Sequence, residues 1–175
     1  WGRPIMLRTA GGLTVNQTTQ FGGYYGSFYS VEQQGDHVGV VTAMYCEVTA
    51  DNHGVTMAAN DSGKKSRITF ANAGTYNIQF STQVYRSGGG GSGDSLNIWL
   101  MMNGQNVPAS DTKMTITSST KYVVAAWNFV ISVATGDFVE IVYLTDNNAI
   151  VFPTVAETPP APSIPSVIIT ATQVA

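Results

Sequence analysis

Val123-Val124-Ala125-Ala126-Trp127-Asn128-Phe129-Val130-Ile131-Ser132-Val133 is the stretch on which the fold turns. Read with the period of two that a strand imposes, one face carries Val123, Ala125, Trp127, Phe129, Ile131 and Val133. The other carries Val124, Ala126 and Val130, with only Asn128 and Ser132 polar. The run is rich in β-branched and aromatic residues, which favours a strand. A strand of a free two-layer sandwich should keep one wet face, and this one does not. No helix is available elsewhere in the chain to cover the second face, so another subunit is the expected cover.

Neighbouring segments extend the pattern. Phe138 to Thr145 (FVEIVYLT) sets Val139, Ile141 and Tyr143 against Phe138, Val142 and Leu144. With Gly136-Asp137 between them, this segment and the first read as a hairpin. Ser166 to Val174 has Val167, Ile169 and Ala171 on one side, Ile168 and Val174 on the other. Thr75 to Tyr85 alternates more simply, with Tyr76, Ile78, Phe80, Thr82 and Val84 opposite Asn77, Gln79, Ser81 and Gln83. Tyr24 to Val31, Leu96 to Met102 and Thr112 to Thr117 are further strands, and Asn103-Gly104 marks a tight turn. No segment longer than a turn or two shows a helical stripe. Short strands punctuated by Gly, Asn and Asp predict an all-β sandwich or barrel.

Three segments lack this periodicity. Ser87 to Gly93 (SGGGGSG) reads as a surface loop, since a phosphate cradle would need a following Lys-Ser/Thr and a helix. Glu157 to Pro165 (ETPPAPSIP) reads as a stiff extended connection returning the last strand to the main sheet. Residues 1–23 are either an arm that docks onto a neighbouring protein or the loose start of the domain, which occupies 24–175. The first residue is Trp1 and not Met, so a processed, trimmed or incomplete chain is expected.

The 175 residues fit one domain with a sizeable core. Charged residues make up 11%, against about 25% in ordinary soluble domains; a surface of Ser, Thr, Asn and Gln suits an extracellular or particle-borne protein. Net charge is −3, and only Lys64, Lys65 and Arg67 cluster among the basic residues. That cluster is a solvated turn, not the many-phosphate patch a duplex binder needs. No apolar run is long enough for a membrane helix and no signal peptide stands out. Cys46, the single cysteine, reads as a small core hydrophobe.

Candidates for chemistry are sparse. His37 and His53 lie in Gly/Asp/Asn-rich surroundings and read as surface-loop residues. Most acids are turn-formers; Glu140, inside an apolar strand, is expected at a sheet edge or interface beside a Lys or Arg. No nucleophile with its base, carboxylate pair, metal cluster or acidic calcium loop stands out. A non-enzymatic protein without cofactor or metal is expected.

Two segments carry a family resemblance. Ser66 to Phe80 (SRITFANAGTYNIQF) is similar to the F-x-x-x-x-x-G-x-Y-x-x-x-F signature of the C1q/TNF-like jelly rolls. Val130 to Ile141 (VISVATGDFVEI) resembles their L-x-x-G-D-x-V-x-V strand pair, and a short apolar strand closes the chain as theirs does. More narrowly, YGSFYS (Tyr25 to Ser30), NIWLMMNGQNVPAS (Asn97 to Ser110), AAWNFVISVATGDFVEI and PSIPSVIITATQV resemble a domain of bacteriophage, especially cyanophage, structural proteins. The likeness runs from about Tyr24 to the C-terminus; Val31 to Ser62 fits it less well and is expected to hold particle-specific loops.

The resemblance implies a two-sheet jelly-roll sandwich assembling as a homotrimer on a virion surface, as a head fibre, capsid decoration or tail-fibre knob. Tyr76, Phe80, Trp127, Phe129, Ile131, Phe138, Tyr143, Ile168 and Ile169 are the candidates for core or trimer interface. Implied partners are the chain itself, other virion proteins through residues 1–23, and a host-surface glycan or protein, with neither nucleic acid nor membrane. Alternatives are a secreted C1q-like binding protein or adhesin and, less favoured, a glycan-degrading tail enzyme.

Overall fold

A computed structural model describes residues 23–88, 93–117 and 122–175. The expected arm at 1–23 therefore lies, apart from Gly23, outside the described residues, as does the middle of the glycine loop. The chain forms two antiparallel sheets packed face to face.

The first sheet runs β11 (Tyr122–Val133), β7 (Gly74–Arg86), β14 (Val167–Gln173), β1 (Tyr25–Ser30) and β4 (Val48–His53). β13 (Ile150–Phe152) pairs with β7 beyond the end of β14, and β2 (Gln34–Gly35) pairs with β13. The second runs β10 (Thr112–Ile116), β8 (Asp94–Met102), β12 (Phe138–Thr145), β6 (Lys65–Phe70) and β5 (Val55–Ala59). β3 (Thr42–Ala43) lies along β12 and β9 (Gln105–Asn106) along β8. The chain passes repeatedly between the sheets, as a jelly roll does.

The alternation in β7 decides its orientation. Tyr76, Ile78, Phe80 and Val84 are buried between the sheets, opposite Leu96, Ile98 and Leu100 of β8 and Val139, Ile141 and Tyr143 of β12. Each such side chain contributes about 1.5–3 kcal/mol through burial. Cys46 is buried among them, and burial pushes its thiol well above the ordinary value, so it is a packing group. Within the Ser66–Phe80 signature, the Phe70 and Tyr76 rings meet at 4.5 Å. A Cβ on Gly74 would stand 2.4 Å from Gln173 Nε2 and 2.7 Å from the Ala175 carbonyl, so only glycine lets the C-terminal residues cross there. The Asn103-Gly104 turn joins β8 to β9 with φ of 50° and 78°, as a two-residue hairpin requires.

Three expectations need correction. β11 and β12 are not a hairpin. β11 pairs with β7 over its whole length, from Tyr122↔Tyr85 to Val133↔Gly74, while β12 pairs with β8 and β6 in the other sheet. The Gly136-Asp137 turn is the corner between the sheets. Asp137 accepts the Ala134 N–H at 2.7 Å and the Asn103 side-chain amide at 2.9 Å. The Glu157–Pro165 connection is not simply extended: Val155 and Ile164 exchange backbone hydrogen bonds of 3.0 and 2.9 Å, folding it back on itself. Glu140 sits in a central strand, and its partner is the Ser66 hydroxyl, not a basic residue. At the root of the glycine loop, Arg86 and Asp94 form a buried ion pair.

Candidate assembly interface

The outer face of the first sheet is built by the out-of-phase residues of the strands that make the core. On β11 the inward row is Val123, Ala125, Trp127, Phe129, Ile131 and Val133, packed over Val84, Phe80, Ile78 and Tyr76 of β7. Trp127 meets Phe80 edge-on with centroids 4.6 Å apart. The outward row is Tyr122, Val124, Ala126, Asn128, Val130 and Ser132, every one exposed. Val124 and Val130 are 61% and 64% exposed, a costly position for aliphatic side chains in water.

Along the middle of this face, β7 presents Asn77, Gln79, Ser81 and Gln83. Asn128 donates to Asn77 Oδ1 at 3.0 Å, and the hydroxyls of Thr75 and Ser132 lie 3.3 Å apart. Tyr122 and Tyr85 pair at one end, ring centroids 5.1 Å apart. Across β7, β14 turns Ile168 outward, 42% exposed, opposite Ser81. Beyond it lies an apolar groove of about 520 Å³ between β1, β14 and the folded-back connection, lined by Tyr29, Val31, Val155, Ile164, Pro165 and Ile168 among others. Among the described residues β11 pairs with β7 alone, so its far edge offers unpaired backbone groups.

The nine candidate residues divide sharply. Tyr76, Phe80, Tyr143 and Ile169 are buried within this chain's own core. Burial pushes the Tyr143 hydroxyl up to about 12. Trp127, Phe129 and Ile131 are half-buried on the inner face of β11. Phe138 lies on the outer face of the second sheet, with the Arg67 guanidinium 4.7 Å from its ring centroid. Ile168 alone of the nine stands on the exposed outer face of the first sheet. Tyr29, Tyr85, Tyr122 and the lining of the groove other than Ile168 were not singled out from the sequence. For the three tyrosines the signal was the outward phase of strands whose inward phase was apolar.

The remaining polar candidates stay apart. His53 ends β4 instead of lying in a loop, its ring stacked on Tyr24 at 5.3 Å, while His37 is exposed. Lys64 pairs with Glu32 at 3.1 Å and covers the Tyr45 ring; Arg67 pairs with Asp61 at 2.9 Å. Lys64 and the Tyr45 hydroxyl hold the Glu32 carboxyl below its usual range. Among the described residues, no three His, Cys, Asp or Glu gather into a metal site.

No family model matches the chain, and no curated protein matches it. A solved structure, the globular domain of zebrafish complement 1qA protein, is similar with a TM-score of 0.51. The match covers 87% of this chain and 98% of that chain at 14% identity. At that identity the likeness concerns the fold: this domain is a C1q-like jelly-roll sandwich.

Proposed function

We propose that this domain is a non-enzymatic structural protein of a bacteriophage particle: a head fibre, capsid decoration or tail-fibre knob. It assembles as a homotrimer through the outer face of the first sheet and contributes to attachment at the host surface. The observation that carries the reading is a pair of unlike apolar patches on that one face. One is the Tyr122, Val124 and Val130 flank of β11. The other is the groove around Tyr29 and Ile168. Unlike patches dock head to tail, and head-to-tail contacts close into rings when the rotation allows, three copies being the smallest ring. The C1q-like fold and the phage-like order of segments from Tyr25 to Val174 support the same assignment. On this reading residues 1–23 meet other virion proteins and the domain sits on the particle surface.

Sedimentation at micromolar concentration should give a species of three chains; a lone 18.6 kDa species would remove the assembly half of the reading. Mass spectrometry of purified particles should find the chain in stoichiometric copies, and its absence would remove the virion half. The likeness to a complement domain favours one second reading, a secreted C1q-like binding protein or adhesin. In that case the trimer would persist and the chain would fractionate with cell surfaces or medium instead of particles.

A further inference from the structure

The outer face of the second sheet, on the far side of the sandwich, carries a depression of a different kind. A hollow of about 390 Å³ is lined by Asn97, Trp99, Asn106, Val107, Asp111 and Leu144, among others. It continues along β8 into a second hollow of about 260 Å³, which shares Asn97 and Leu144 and adds Ser95, Lys113 and Asp146. The pleat explains their company: Leu96, Ile98 and Leu100 enter the core, so Ser95, Asn97 and Trp99 turn outward. Trp99 to Ser95 spans about 13 Å along the strand, enough for a short oligomer.

The hollow is held in shape before any ligand arrives. Trp99 Nε1–H donates to Asn106 Oδ1 at 2.8 Å, fixing the indole edge. Asn97 Nδ2 donates to Asp111 Oδ2 at 2.7 Å. The buried Ser110 hydroxyl accepts the Leu100 N–H at 3.1 Å and donates to the Val107 carbonyl at 2.8 Å, pinning the 107–111 wall to β8. Within that wall Ala109 adopts a left-handed φ of 59°, a conformation that costs a residue with a Cβ roughly 1 kcal/mol. Asn97 Oδ1, the Asn106 NH₂ and Asp111 Oδ1 take no part in these bonds.

An aromatic face beside planar amide and carboxylate groups matches a pyranose ring, which offers C–H groups on one side and hydroxyls around its rim. Charge selects further. Asp111 and Asp146 outweigh Lys113, and the lining has no guanidinium fork for a carboxylate or sulfate. We infer that the groove along β8 binds a neutral glycan, with Trp99 as the stacking platform and Asn97, Asn106 and Asp111 as the hydroxyl-binding groups. This rests on, and gives a ligand to, the attachment role proposed above.

The test titrates the chain with methyl glycosides of glucose, galactose, mannose and N-acetylglucosamine, and with cellopentaose and maltopentaose. Glucuronate and a sulfated galactoside serve as anionic probes, and calorimetry and tryptophan fluorescence are the readouts. At least one neutral probe should bind with a Kd on the order of 1 mM or tighter. Trp99→Ala should abolish that binding, and Asn97→Ala or Asp111→Ala should weaken it about tenfold. The two polar variants alter exposed or half-exposed side chains, so they keep the test alive if Trp99→Ala does not fold. The inference is overturned if no neutral probe binds, if the anionic probes bind more tightly, or if binding survives these substitutions. Sedimentation of the same samples separates the two claims: a trimer that ignores every sugar removes the glycan site alone, and a monomer that binds removes the assembly alone.

Discussion

Polar outward side chains of the second sheet bond to one another, whereas the aliphatic ones of β11 face nothing within this chain. On the second sheet Asn97 donates to Asp111, Arg67 lies over Phe138 and pairs with Asp61, and Trp99 donates to Asn106. On β11, Asn128 and Ser132 find partners on β7, while Val124 and Val130 project beyond them with more than half their surface free. Both sheets share one core and the same alternation, so the difference lies only in the outward phase. One face meets water with local hydrogen bonds; the other sets aliphatic side chains into it.

The largest effect should come from giving the unfinished face charges of its own. Val124→Lys combined with Val130→Glu should convert the proposed trimer wholly to the 18.6 kDa chain while circular dichroism keeps its strand signal. A double variant that still sediments as a trimer would break the contrast between the faces. Next come two neighbours on β14. Ile169→Ala empties the core and should lower the unfolding free energy by about 2–5 kcal/mol. Ile168→Ala should change the dissociated chain by only about 0.5 kcal/mol and weaken assembly instead, as denaturant titration and sedimentation would show. Equal losses in the dissociated chain would mean that the outer face is already packed.

The smallest effect concerns Asp137. The Ala134 N–H and then the Asn103 amide hold its carboxyl below the ordinary range. A carboxyl whose folded value is lowered adds stability that is fully present above its unfolded value and lost as pH falls through the folded one. The denaturation midpoint should therefore drop in acid, below the ordinary carboxylate range, and Asp137→Asn should flatten that drop.

β7, β11 and β12 were legible in the sequence because a period of two in large apolar residues has no other reading, and Phe138–Thr145 was bounded to the residue. β4 was not: VTADNH has poor strand propensity and is ordered by pairing with β1. The false hairpin had a local cause. Gly136-Asp137 is good turn chemistry, but the partner of β11 is chosen by its long register with β7, which no turn encodes. For the candidate interface, two apolar faces could be seen but not told apart. Size pointed to Trp127 and Phe129, which the fold turns inward; Val124 and Val130 carry the outer face. The groove at Tyr29 was hidden because its walls lie more than a hundred residues apart in the chain, and Trp99 looks like any core tryptophan until the phase of β8 is known.

Gly74 gives way to the crossing C-terminal residues, and the Gln173 N–H bonds the Tyr24 carbonyl at 2.8 Å, so the described domain starts and finishes at one pole. That has a mechanical consequence. If the chain ahead of Tyr24 is the mooring and the load hangs on the outer sheets, tension runs along β1 and is resisted by β14 and β4 on its two flanks. The rungs between them are then sheared together, and the force each one carries is a fraction of the whole. Pulling Tyr24 against Ala175 would peel those rungs one at a time. A domain held by its leading end alone is thus loaded in its strong direction.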